Sequence, residues 1–319
     1  MISNTVLKRS ILKNLHTRNC NAGQLILVTD HGMQALYRLD NQLAARGAGA
    51  VSCAVEILLP EEYDEKQLQQ LMKQLDAQCR ELNMVITQVQ AHVTANVRKP
   101  ILTMSAAGQA EPAMESMAGS IVTETGYLRG CKPNQDIVMT KWIGIEGIRY
   151  IIDCKREEIR VRYSEEVIAK AYGQEADLSV RTEAMAIWKA QPARTVQKTA
   201  GCDIAMLPVT EGGVYAALWE LAQSGEVGID VDFRKIPVHQ EVIEICEMYD
   251  INPYELASTG CLLVTSEDGC GIVRILEELG ISAVIIGRTT DNHDKLIRNQ
   301  EEVRYLDVPR HDEMCRFEV

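Results

Sequence analysis

The chain has 319 residues, 46% hydrophobic and 24% charged, a balance that supports one large core or two ordinary ones and excludes a wholly disordered chain. Its formal net charge is -12, and such an acidic surface repels phosphate backbones, so nucleic acid is not the expected partner. No apolar run approaches the roughly 20 residues of a membrane span, and the ten cysteines form no C-x-x-C pair or zinc spacing and follow no secretory signal, so they are read as free thiols of a cytoplasmic protein.

Residues 1–20 fit an amphipathic lead-in helix, with Val6, Leu7, Ile11, Leu12 and Leu15 on one stripe, docked on its own domain rather than on a membrane. A strand is expected at 25–28, a helix at 33–46 ending at Gly47, and a partly alternating strand at 50–58 stopped by Pro60. The clearest helix follows. Asp64 can cap it with Gln67 at the capping-box position, and Leu68, Leu71, Met72, Leu75, Cys79 and Leu82 recur every three or four residues as a core face. Strands are expected at 85–93, 101–106, 119–124 and 137–142, while 146–153 fits helix or strand equally. Strand–helix–strand–strand order predicts an α+β fold with helices on one face of a mixed sheet.

The composition changes abruptly at 155–163 (KREEIRVRY), which sets the expected domain boundary: residues 1–155 form an N-terminal domain and 156–319 a C-terminal α+β domain. Helices are expected at 164–172 and 183–190, and one from Thr210 to Ala222. A strand at 227–231 follows, then a helix with Pro237 at its start. Strands at 261–265 and 282–287 flank a helix at 271–279. The polar last thirty residues offer no clear pattern.

Four segments could carry chemistry. In NQLAARGA (41–48), Asn41 and Gln42 are amides that hydrogen-bond but hold a cation weakly; an ordinary helix end is the plainer reading. In TQVQAHVTANVRKP (87–100), strand alternation puts Gln88, Gln90 and His92 on one face, a pocket lining or a wet sheet surface. His92 has no second strong metal ligand near it in sequence. In TKWIGIEG (140–147), Gly144 permits a tight turn, Lys141 could meet a phosphate and Glu146 lies close by. In MLPVTEGGV (206–214), Thr210 can cap a helix, the amides of Gly212 and Gly213 could receive an anion, and Glu211 could help a bridging cation. No P-loop, nucleophile elbow or H-E-x-x-H occurs.

In this order the segments resemble the aminoimidazole ribonucleotide synthetase-related (PurM-like) superfamily, which includes the hydrogenase maturation dehydratase HypE, thiamine-monophosphate kinase and selenophosphate synthetase. NQLAARGA is similar to N-D-L-A-x-x-G-A, KPNQDIVMTKWIGIEG to K-P-G-D-x-I-V-M-T-K-x-I-G-x-E-G, and MLPVTEGGV to M-H-D-A-T-E-G-G-V. VTANVRKP, IDVDFRKIPV and INPYELASTGCLLVT match three further segments. The resemblance covers roughly residues 25–290. It implies a two-domain fold, a homodimer whose N-terminal mixed sheets pair into a barrel, and ATP with Mg²⁺ bound chiefly on acids of the first domain. On that pattern Asp30, Asn41, Gln90, His92, Lys141, Gly144, Glu146, Thr210, Glu211, Gly212 and Gly213 are the candidate ligand-binding residues. Departures concentrate at the acids. Gln42 replaces a metal-binding Asp, Gln90 a polar or acidic residue, and Leu207-Pro208 a His-Asp pair, while only Asp30 and His31 lie where a glycine-rich acidic segment is expected. Hard cations on a triphosphate need carboxylate oxygens. The expectation is therefore a HypE-like accessory dimer that binds ATP, another nucleotide or an anion without the standard Mg²⁺ chemistry. The alternatives are a phosphoryl-transfer or dehydratase-like enzyme with altered ligands, or a mainly structural partner protein. The resemblance to HypE implies a C-terminal P-R-x-C ending; Cys315 is followed here by Arg316, Phe317, Glu318 and Val319, so that carrier ending is not expected of this chain.

Overall fold

The structure, a computed structural model, describes residues 25–110, 131–173, 178–190 and 204–317. The expected lead-in helix 1–20 and the strand expected at 119–124 lie outside them. The described residues form two compact units, one over 25–110 and the other from 131 onward.

The first unit holds β1 (Leu25–His31), α1 (Ala35–Ala45), β2 (Ala48–Leu59), α2 (Glu65–Glu81), β3 (Val85–Val93) and β4 (Ile101–Ala110). Its four-stranded sheet runs β1-β4-β2-β3, with β2 and β3 parallel and the other pairs antiparallel. Alternate residues Cys53, Val55, Ile57 and Leu59 of β2 and Leu102, Met104 and Ala106 of β4 are buried, because a period of two sends them all to one face. That face packs on α1 and α2 around Leu36, Leu39, Leu71, Leu75 and Cys79. The capping box forms as the sequence predicts: the Gln67 amide donates to Asp64 Oδ1 at 2.8 Å and the Asp64 amide to Gln67 Oε1 at 2.9 Å. Helix α1 stops at Gly47, whose φ of 73° is left-handed. On the opposite sheet face Leu27, Thr29, His31, Glu56, Ser105, Gln88, Gln90 and His92 are exposed among the described residues.

The second unit holds β5 (Asp136–Thr140), α3 (Ile145–Arg160), α4 (Glu165–Gly173), α5 (Arg181–Ala190), β6 (Ala205–Pro208), α6 (Gly213–Gly225), β7 (Gly228–Asp232), α7 (Gln240–Met248), β8 (Leu262–Ser266), α8 (Gly269–Glu278), β9 (Ala283–Thr290), β10 (Lys295–Asn299) and β11 (Glu302–Tyr305). The seven strands run β11-β10-β7-β9-β5-β8-β6, and only β10–β7 is parallel. Its core gathers Ile137 and Met139 of β5, Leu218 and Leu221 of α6, Ile229 and Val231 of β7, and Leu263 of β8. Both units together make a mixed α+β architecture.

Several elements depart from the sequence reading. Strand β5 pairs with β8 and β9, so residues from 136 onward belong to the second unit's sheet, not to a domain ending at 155. The composition change at 155–163 is the outer end of α3: Lys155 to Glu158 are exposed while Ile159 is buried. The ambiguous stretch 146–153 is helical. Helix α6 starts at Gly213, not at Thr210, and Pro237 precedes the His239 N-cap of α7 instead of starting that helix. The polar C-terminal stretch supplies β10, β11 and a 3₁₀ turn at Glu313–Phe317.

Candidate functional site

In the first unit, the hydrogen-bonding needs of Asp30 are met locally. Asp30 on β1 faces α1, as its register partner Met104 faces the core. Its carboxylate accepts from Arg38 Nε and from Gln42 Nε2, each at 3.2 Å, and Arg38 also donates to the His31 carbonyl. A buried guanidinium therefore balances the acid, and the amide of Gln42 turns toward it. Asn41 is fully buried on α1, beside fully buried Asp40. Gln90 and His92 sit on the opposite sheet face: register places Gln90 beside Glu56 and His92 beside Leu58, both on the outer side of β2. The sheet thus separates them from Asp30. Among the described residues, no group of three or more His, Cys, Asp or Glu side chains is placed to hold a metal ion.

In the second unit the two glycine-bearing segments converge on the loop before β8. Gly144, at φ 80°, lets the chain turn from β5 into α3, and its amide donates to Ser258 Oγ at 2.8 Å. Buried Glu146 accepts from the Thr259 amide at 3.3 Å. The Ser258 amide donates to the Thr210 carbonyl at 3.3 Å, and the Val209 amide to the Cys261 carbonyl at 2.9 Å. Thr210 therefore serves through its backbone; the α6 N-cap is Gly212, at φ 80° with no side-chain cap. Gly213, at φ 65°, packs so closely that an added Cβ would come within 2.5 Å of the Tyr254 carbonyl. Partly buried Glu211 lies between Thr210 and Gly212 in the second segment.

Two expectations change here. Lys141 has a left-handed φ of 56° and turns inward, donating to the Ser179 carbonyl at 2.6 Å and pairing with buried Glu183 at 2.9 Å. It holds α5 in place, so its charge is committed to a carboxylate instead of awaiting a phosphate. The amide of Gly212 already has an anion: it donates to Asp312 Oδ2 at 2.5 Å. Asp312 is buried and also accepts from the amides of Met314, at 2.7 Å, and Ala257. Burial pushes its carboxyl up to about 6, the three amides oppose that rise, and the charge of Glu146 adds to it. Sequence reading missed Asp312 because its partner lies 100 residues away; the D-E-M run after the last strand was the only local cue. Cys261, fully buried and donating to the Trp142 carbonyl at 2.8 Å, has its thiol pushed up to about 12 by burial.

The family model for the AIR synthase related protein C-terminal domain matches residues 199–298. A putative hydrogenase expression/formation protein of Methanocaldococcus jannaschii is 25% identical over 295 residues, covering 90% of this chain and 78% of that protein. A carbamoyl dehydratase HypE of Rhizobium leguminosarum bv. viciae is 23% identical, covering 82% and 69% respectively. Among solved structures, a HypE–HypF complex superposes with a TM-score of 0.73 at 18% identity, covering 96% of this chain and 100% of that one. HypE in complex with ATP gives 0.67 at 16% identity, covering 94% and 90%. Residues 199–298 thus match the AIR synthase-related C-terminal domain, and the chain has a PurM-like, HypE-like fold.

Proposed function

We propose that this chain is an accessory, ligand-binding member of the HypE-like group that lacks standard ATP–Mg²⁺ phosphoryl transfer. The observation that carries this reading is internal satisfaction of the candidate ligand groups. Arg38 and Gln42 hold Asp30, Glu183 holds Lys141, and Asp312 fills the Gly212 amide. These residues do not fit a resident Mg²⁺ ion, which needs carboxylate oxygens free of cationic partners. Glutamine at 42 and 90 keeps hydrogen-bonding capacity, so a nucleotide or another anion that tolerates a neutral site remains the ligand class. Isothermal titration with ATP, with and without Mg²⁺, tests this. The expected result is heat independent of Mg²⁺ and no nucleotide turnover; Mg²⁺-dependent binding with hydrolysis would overturn it.

The proposed assembly is a homodimer through the uncovered face of the four-stranded sheet. That face is small and polar along the Glu56–Thr103 and Ala54–Ser105 register pairs, with Leu27 exposed by 68% at β1, and paired sheets would close it into a barrel. Light scattering should give a dimer mass for the native chain and a monomer for Leu27→Asp; a monomeric native chain sinks the assembly. One observation favours an enzymatic alternative: buried acids Glu146 and Asp312 interact in the second unit, as catalytic carboxylates can. Such an enzyme would lose its ATPase on Glu146→Gln.

A further inference from the structure

The first unit brings two cysteines together from distant parts of its chain. Cys53 on β2 and Cys79 on α2 are both free and buried, with Sγ atoms 3.8 Å apart. Neither belongs to the candidate site. Twenty-six residues separate them, so the contact is tertiary: it joins the last turn of α2 to the middle of the sheet. We infer that Cys53 and Cys79 form an oxidisable dithiol that a peroxide converts to a disulfide, fastening α2 to β2.

Geometry and position support the pair. A disulfide needs sulfurs at about 2 Å, so closure requires a further approach from the present 3.8 Å. The ladder beside Cys53 is irregular: the β2–β3 register shifts between Cys53 and Ala54, leaving Thr87 of β3 as the extra residue, and Thr87 Oγ1 donates to the Cys53 carbonyl at 3.0 Å. A bulge in the neighbouring strand loosens the ladder at Cys53, which gives β2 room to adjust. On the other side, α2 rests on the core through Leu71, Leu75 and Cys79, with most of its other residues exposed, so a small shift of its last turn disturbs few contacts. The two thiols are not equivalent. Their mutual contact holds the Cys53 thiol down and pushes the Cys79 thiol up, and burial adds to the rise at Cys79. Cys53 is thus the attacking sulfur and Cys79 the resolving one.

The step balances with hydrogen peroxide as oxidant. The Cys53 thiolate attacks one peroxide oxygen, the O–O bond breaks, and Cys53 becomes a sulfenic acid while hydroxide leaves and takes up the thiol's proton as water. Cys79 then attacks the Cys53 sulfur; the S–O bond breaks, the S–S bond forms, and a second water leaves with the Cys79 proton. Two thiols lose two electrons in all, and peroxide gains them. The oxidant must be small because both sulfurs are buried; peroxide meets that need better than a glutathione disulfide does.

The test treats the native full chain with hydrogen peroxide, alkylates remaining thiols under denaturing conditions, and maps peptides without reduction. The expected product is a Cys53–Cys79 cross-linked peptide pair and a chain lighter by two hydrogens in the unalkylated sample. Cys53→Ser and Cys79→Ser should each abolish that pair, and Cys79→Ser should leave Cys53 as a trappable sulfenic acid. The oxidised native chain should also show a higher thermal midpoint that reductant reverses. Both residues remaining fully alkylatable while exposed Cys154, Cys270 and Cys315 oxidise would overturn the inference. A cross-link from either cysteine to a different partner would do the same.

Discussion

The carboxylate of Asp312 accepts the amide of Gly212, at 2.5 Å, where a helix start would otherwise meet an exogenous anion. The amides of Ala257 and Met314 complete the cradle. Orphan donors at a helix N-terminus are satisfied by side chains, water or ligand, and here a residue from the end of the chain takes that place. Removing it should leave buried donors unpaired, at a cost of about 1–3 kcal/mol. Asp312→Ala should therefore lower stability by that order in chemical denaturation. An unchanged midpoint would show that the cradle contributes nothing.

The same residue sets a pH dependence. Its carboxyl is raised from 3.8 to about 6 in the folded chain, mainly by burial. The folded state therefore binds the proton more tightly than the unfolded state. The associated stabilisation is fully present below the unfolded value of 3.8 and is lost as pH rises through about 6. A shift of this size corresponds to a change on the order of 3 kcal/mol between those limits. Asp312→Asn removes the titration and keeps the shape. The difference in unfolding free energy between native chain and variant should change across pH 4–6 and flatten above it. A difference that stays constant over that range would contradict the assignment.

Lys141 and Glu183 test whether the TKWIGIEG segment is a ligand site or a structural joint. Their side chains are 12% and 1% exposed, so breaking this buried ion pair should cost up to about 3–5 kcal/mol. Lys141→Ala and Glu183→Ala should each destabilise by that order, and the double variant by less than the sum. Unchanged stability in Lys141→Ala, with weakened nucleotide binding, would restore Lys141 to the ligand role read from its sequence motif.

How legible each feature was depended on how far away its partner lay. Helix α2 was readable because Leu71, Leu75 and Cys79 repeat at helical spacing and Asp64 and Gln67 carry the cap within three residues. Asp64→Ala, a wholly local change, should cost about 1 kcal/mol. Strand β5 was assigned to the wrong domain because its neighbours β8 and β9 come more than a hundred residues later, as in Met139 beside Leu263. No local pattern reports sheet membership across that separation. The charged run at 155–163 reads as a domain boundary because an exposed helix face and a boundary share composition. The candidate site followed the same rule. Glycines at 144 and 212 were visible as turn formers, whereas Glu183 and Asp312, which decide the charge state there, stand 42 and 100 residues from their partners.

The reading of a site without Mg²⁺ chemistry can be tested by restoring one acid. Gln42 Nε2 now donates to Asp30; Gln42→Asp would replace that donor with a second carboxylate facing the first. Arg38 can balance one charge but not two, so the variant should lose stability in the absence of metal, through like-charge repulsion. A hard divalent cation bridging the pair would reverse that loss, since each carboxylate supplies the oxygen ligand that glutamine lacks. The expected outcome is a thermal midpoint that rises with added Mg²⁺ in the Gln42→Asp variant and is unmoved in the native chain. The shift should follow saturation, as ligand linkage requires. An equal Mg²⁺ response in both proteins would mean that Asp30 and its neighbours bind the ion without position 42. The loss of that acid would then no longer support an accessory role.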